Sequence, residues 1–197
     1  MKRVVLALAL IVASAATKIA HAQMPPGPAF VMEARVGGGL GIAGNGGNGG
    51  GGASAELAFG VRLIDRLQIG LGFTVFHVSG PFNANIGATT IFTLNPQLTI
   101  DILKARDNKV AWYGKIGLPI GAQTNTVTIN GVGNTNNVFV IGFDLGFGVR
   151  YCPHPNVAFG LEGGLNGFYA DPGNNGATGT TGIYGALVGT FYWGKGT

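Results

Sequence analysis

The chain has 197 residues, of which 37 are glycine, 46% are hydrophobic and 10% are charged, with a formal net charge of +4. So little charge beside so much apolar content excludes a solvated disordered chain, and glycine without a three-residue period excludes a collagen-like rod. The length suits one domain of moderate core, and the low charge points to a surface that largely does not face water.

The N-terminus opens on Lys2 and Arg3, continues with apolar and small residues from Val4 to Ala16, and reaches Ala20-His21-Ala22. A positive start, a short apolar run and an A-x-A site predict a secretory signal peptide over residues 1–22, with Ala13-Ser14-Ala15 as a second candidate site. The apolar run is too short to span a bilayer as a helix. Cleavage leaves 23–197 as the predicted barrel domain. It removes Lys2, Arg3 and Lys18 and leaves nine basic and eight acidic residues, a net charge of +1. No basic patch survives, so nucleic acid is not an expected partner.

The rest of the chain alternates with a period of two, which predicts strands. Over 29–42, Phe30, Met32, Ala34, Val36, Leu40 and Ile42 oppose Glu33, Arg35, Gly37 and Gly39. Over 54–64, Ala55, Leu57, Phe59, Val61 and Leu63 oppose Glu56, Gly60 and Arg62. Over 67–78, Leu67, Ile69, Leu71, Phe73 and Val75 oppose Gln68, Gly70, Gly72 and Thr74. Over 90–103, Phe92, Leu94, Leu98, Ile100 and Ile102 oppose Thr93, Asn95, Gln97, Thr99 and Asp101.

The second half continues the pattern. Over 109–122, Val110, Trp112, Ile116, Leu118 and Ile120 oppose Tyr113, Lys115, Gly117 and Gly121. Over 138–151, the odd positions from Phe139 to Tyr151 oppose Gly142, Asp144, Gly146, Gly148 and Arg150. Over 157–169, Val157, Phe159, Leu161 and Leu165 oppose Gly160, Glu162, Gly164 and Asn166. Over 182–193, Ile183, Leu187, Phe191 and Trp193 oppose Tyr184, Thr190 and Tyr192.

Eight such strands predict an all-β, eight-stranded antiparallel up-and-down barrel, soluble or transmembrane according to which face points out. The polar face is rich in glycine and poor in charge. It suits a narrow interior rather than a water-facing surface, while the large Phe, Leu and Trp of the other face suit lipid. The connections alternate. Those at 65–66, 104–108 and 152–156 are short. Those at 43–53, 79–89, 123–137 and 170–181 are long and rich in Gly, Asn and Thr, as for periplasmic turns and external loops. Trp112, Tyr151 and Trp193 near one set of ends, with Phe139 and Tyr169 near the other, form a candidate aromatic girdle. Pro96 and Pro119 fall inside predicted strands, where local bulges are expected. Cys152 reads as a turn residue. Gly114, Gly163, Gly167 and Gly185 on the lipid face read either as packing sites or as weak strand positions.

The pattern resembles the small outer-membrane β-barrels of Gram-negative bacteria, of the outer membrane protein A membrane domain and outer membrane protein X and W type. The resemblance covers about residues 24–193. Its most family-like stretch is Trp112-Tyr113-Gly114-Lys115-Ile116-Gly117, and the final strand ends Gly189-Thr190-Phe191-Tyr192-Trp193. That last strand resembles the aromatic C-terminal strand read by barrel assembly machinery, although Gly194 to Thr197 follow it here. The resemblance implies residence in the cell outer membrane among its lipid and lipopolysaccharide, and leaves function open.

Glu33, Arg35, Glu56, Arg62, Asp101, Lys115, Asp144, Arg150 and Glu162 fall on inward positions, nine of the 17 mature charges. Near balance in a narrow lumen predicts a structural plug of mutually paired charges, with Arg62–Asp101 and Lys115–Glu162 among the pairs. The alternative is a narrow porin-like path for ions or small solutes. His77-Val78-Ser79 resembles the His-x-Ser pair of barrel deacylases that act on lipid A. Gly80 stands where that family usually has Asn, no acid accompanies His77 on its face, and no catalytic residue is assigned. Two distant His and one Cys give no metal site. The Gly44-Asn45-Gly46-Gly47 run lacks the Lys-Ser/Thr and helix of a phosphate loop, and no cofactor is expected. The reading is a non-enzymatic outer-membrane barrel with a structural or adhesion-like role, whose nearly uncharged loops could meet surface proteins or sugars.

Overall fold

The computed structural model describes residues 28–44, 51–79, 88–105, 109–129, 132–170 and 178–194. The segment expected to be the signal peptide lies outside these residues. The described residues form nine strands: β1 (Ala29–Gly44), β2 (Gly51–Ile64), β3 (Leu67–Ser79), β4 (Ala88–Lys104), β5 (Val110–Gly117), β6 (Ile120–Ile129), β7 (Val132–His154), β8 (Val157–Ala170) and β9 (Thr178–Trp193). All pairings are antiparallel.

The sheet closes because β9 pairs with β1, Phe30 standing opposite Trp193. Strands β5 and β6 both lie between β4 and β7, one beyond the other, so they fill one position in the wall. The nine strands thus make an eight-position up-and-down barrel with no open side edge. Cross-strand partners run from Val31 through Gly60, Gly70, Gln97, Gly117, Asp144, Asn166 and Gly182 to Gly41, ten residues further along β1. That stagger inclines the strands to the barrel axis by roughly 35–45°.

The division between β5 and β6 corrects the expectation of bulges at the prolines. Gln97 faces Gly117 and Leu94 faces Ile120, a register that passes the break without a shift. What is lost is hydrogen bonds. The Leu118 N–H donates to the Pro96 carbonyl (3.0 Å) and the Gly142 N–H to the Pro119 carbonyl (2.8 Å). Neither proline can return the reciprocal bond. Two adjacent positions therefore lose one bond each, toward opposite neighbours, and the ladder parts there.

Register shifts occur elsewhere, at Gly41/Ala43, Arg62/Ile64, Asp101/Leu103 and Tyr151/His154. The connections expected to be long are shorter than predicted, because the polar strands continue pairing. β6 and β7 run as a hairpin to Ile129 and Val132, while β1 and β2 reach Gly44 and Gly51. Main-chain ladders do not require an apolar face, so hydrophobic alternation marks the wall and misses its extensions. Cys152 also departs from expectation. It is a buried residue of β7, and the turn lies at Pro155 and Asn156.

The two faces separate cleanly. Outward positions carry the large apolar side chains, Phe30 and Leu187 being 68% and 66% exposed. Inside, an apolar cluster of Val31, Ala111, Cys152, Ala158 and Tyr192 sits at the short-turn end. A second one, Ile91, Val138, Val140 and Ala170 with Phe76 and Phe168 packed on it, sits at the long-hairpin end. The charges lie between these clusters and beside the first.

Candidate functional site

All nine inward charged positions are buried, none more than 8% exposed. Strand alternation puts each carboxylate or cation inside, and the lumen is narrow enough for side chains from opposite walls to meet. Burying a charge is expensive unless it is paired and hydrogen-bonded, so the pairing decides whether the arrangement is tenable.

One group joins six charges in mid-barrel. Arg35 contacts Glu33 (2.6 Å), Glu56 and Glu162 (3.4 Å). Lys115 Nζ lies 2.9 Å from Asp144 and 2.8 Å from Glu162. A second group gathers at the short-turn end around Asp101, which meets Arg62 (2.5 Å), Arg150 and, at 3.8 Å, Lys104. Arg150 reaches Glu33 at 3.7 Å and so links the two groups. Four carboxylates face two cations in the first group, and one carboxylate faces three cations in the second. The lumen is thus polarised along its axis while remaining balanced in sum.

Neutral side chains that sequence reading left outside the network also join it. The Tyr113 hydroxyl donates to Glu162 (2.9 Å), and the Tyr184 hydroxyl lies 2.9 Å from both Asp144 and Glu162. Thr74 donates to Glu56 (2.9 Å), while Asn95 Nδ2 reaches Asp144 at 3.1 Å and Glu56 at 3.4 Å. The Arg150 guanidinium stands 5.0 Å from the Tyr113 ring centroid, and Arg62 5.6 Å from that of Tyr192. Their inward parity was the available signal. Lys104, expected in a turn, ends β4 and donates to the Asp65 carbonyl. Between the mid-barrel group and the Phe76 and Phe168 rings, 6.1 Å apart, remains a cavity of about 50 Å³ bounded also by Thr93, Asn166 and Tyr184. It is large enough for a few water molecules.

No protein-family model matches the chain, and no curated protein matches it. Among solved structures, Neisserial surface protein A matches with a TM-score of 0.59 at 16% identity, over 84% of this chain and 98% of its own. The outer membrane protein OprG from Pseudomonas aeruginosa gives 0.52 at 9% identity, over 88% of this chain and 100% of its own. The chain has the fold of a small outer-membrane β-barrel. Identity this low carries the fold alone and not what the barrel does.

On the barrel's outer wall, Trp112, Tyr151 and Trp193 are exposed near the short-turn end, where Trp112 stacks on Phe147 at 5.8 Å and Trp193 packs 5.3 Å from Phe191. Phe139 and Tyr169 are exposed toward the opposite end. His77 points outward with Nδ1 2.9 Å from the Thr90 hydroxyl, and the Ser79 side chain lies outside what is described. Gly167, read from the sequence as either a packing site or a weak strand position, lies under the Phe143 ring, which a Cβ there would meet at 2.3 Å. Among the described residues, no group of three His, Cys, Asp or Glu is placed to hold a metal ion.

Proposed function

We propose that this protein is an integral outer-membrane barrel with a structural or surface-interaction role, its lumen closed by its own side chains. In this reading the short turns face the periplasm, the long hairpins face outward, and the aromatic residues near both rims sit at the two interfaces. The observation that carries it is the segregation of side chains. Large apolar groups cover the outside while nine charges are buried and paired inside, the reverse of a soluble barrel. Lipid accepts the first and would penalise the second by about 2–4 kcal/mol per Arg or Lys at the bilayer midplane.

Closure rests on three layers: the Phe76 end cluster, the ionic middle and the Tyr192 end cluster. Surface interaction would fall to the external hairpins, whose Thr, Asn and Gly composition suits hydrogen bonding to proteins or sugars rather than charge pairing. Outer-membrane lipid, lipopolysaccharide and the barrel assembly machinery complete the proposed partners. The second reading is a narrow channel, favoured by the cavity above the mid-barrel group.

Planar bilayer recording separates the two. Closure predicts that folded protein leaves the bilayer silent. Steady ohmic steps that change with swaps of Lys115 or Glu56 would establish the channel instead. The protein is proposed to be non-enzymatic: His77 engages Thr90, and Ser79→Ala is expected to leave lipid A acylation in cells unchanged.

A further inference from the structure

The outer wall changes character toward the long hairpins. Four polar side chains stand side by side there, one from each of four neighbouring strands. His77 of β3 faces Thr90 of β4, Thr90 faces Thr124 of β6, and Thr124 faces Asn137 of β7. His77 Nδ1 lies 2.9 Å from the Thr90 hydroxyl, and the Thr124 hydroxyl donates to Asn137 Oδ1 at 2.8 Å. His77 and Asn137 are exposed, while Thr90 and Thr124 are half-buried. One such bond per pair leaves capacity for a ligand, because a hydroxyl oxygen has two acceptor sites and an amide nitrogen two donors.

The next outward row on the same four strands is apolar. Val75 faces Phe92, Phe92 faces Ala122, and Ala122 faces Phe139. Phe92 and Phe139 are 52% and 62% exposed, and Ala122 between them is exposed as well. Neighbouring strands stand about 4.8 Å apart, so the two phenylalanine-bearing strands flank β6 at a separation of roughly 10 Å. The small Ala122 side chain thus makes a notch one strand wide, with a phenylalanine on either side. Its upper end meets Thr124, the next outward residue of β6. Among the described residues, no Asp, Glu, Lys or Arg belongs to these four strands between the notch and the hairpin ends.

We propose that this sector seats a sugar-headed lipid of the outer leaflet, with one acyl chain over Ala122 between Phe92 and Phe139 and the saccharide hydroxyls on the His77–Thr90–Thr124–Asn137 row. The inference rests on the outer-membrane reading above and on its orientation. An apolar notch that ends on uncharged hydrogen-bonding groups matches a molecule with a hydrocarbon chain at one end and neutral hydroxyls at the other. A phosphate headgroup would meet no Lys or Arg of these strands, and a free sugar would leave the notch unused.

The test is native mass spectrometry of the folded full barrel in nanodiscs of phosphatidylcholine doped equally with digalactosyldiacylglycerol and phosphatidylglycerol. The wild type should retain the digalactosyl lipid in preference to phosphatidylglycerol. Thr124→Val/Asn137→Leu removes a bonded pair together at an exposed rim, and a hydrogen bond is worth roughly two- to tenfold in affinity, so this variant should lose on the order of tenfold of that preference. Thr124→Ser/Asn137→Gln should keep it. Ala122→Phe, which fills the notch and leaves the polar row intact, should lose retention of the digalactosyl lipid. Heat-dependent gel mobility checks that each variant is folded. Folded Thr124→Val/Asn137→Leu and Ala122→Phe variants with the wild-type preference, or a wild type that retains neither lipid or favours phosphatidylglycerol, overturn the site and leave the barrel reading intact. Failure of the wild type to insert into any bilayer overturns both.

Discussion

At the residue scale, the lumen depends on which charge loses its partner. Glu162 serves Lys115, Arg35, Tyr113 and Tyr184, whereas Asp144 shares Lys115 with Glu162. Removing one partner of a buried pair strands the other at a cost of about 3–5 kcal/mol. Urea unfolding in vesicles should therefore show Glu162→Gln destabilised by about that amount and Asp144→Asn by clearly less. Equal losses would mean that the two carboxylates are interchangeable. The inward charges were legible from parity alone. Their tyrosine, threonine and asparagine partners were not, because alternation places a side chain on a face without saying how far across the lumen it reaches.

Glycine has two uses in the same wall. A Cβ on Gly121 would fall 1.9 Å from the Phe92 carbonyl oxygen, while one on Gly189 would meet nothing within 4 Å. Gly121→Ala should cost about 1–3 kcal/mol as overpacking, and Gly189→Ala should leave stability unchanged within about 0.5 kcal/mol. The same urea titrations measure both. A Gly121→Ala barrel as stable as wild type would refute the close approach of β4 and β6.

At the element scale, the wall strands announce themselves because one face must bury and the other must not. The weak point is the β5–β6 junction, where Pro96 and Pro119 each withhold one donor. Pro119→Ala supplies an N–H facing Gly142, a bond worth about 0.5–1.5 kcal/mol, set against the entropy that proline removes from the unfolded chain. Hydrogen exchange should slow at the amides around 118–121 while overall stability changes by less than about 1 kcal/mol. Unaltered exchange there would show that the junction opens for another reason. The sequence marked both prolines and expected bulges. Preserved register could not be foreseen, because it depends on the two residues standing in adjacent pairs on opposite sides of one strand. Similarly, the polar continuation of β6 and β7 toward Ile129 and Val132 carries no apolar period and reads as loop.

At the scale of the whole molecule, low charge, abundant glycine and exposed apolar side chains all fit the proposed arrangement, a thin wall between lipid and a packed lumen. Leu145 lies on the outward face in mid-wall, paired with Ile116 and Leu165. Leu145→Arg should destabilise insertion by about 2–4 kcal/mol, seen as a lower folded fraction in vesicles. Full folding of that variant would argue that this face does not meet lipid.

The most direct test of the central claim is electrophoretic. Protein taken from the outer-membrane fraction should run as a compact band without heating and shift to a different mobility once boiled, as a closed barrel that resists detergent until heat opens it. Protein found outside that fraction, or running identically before and after boiling, would contradict the account, including which face of the strands points outward.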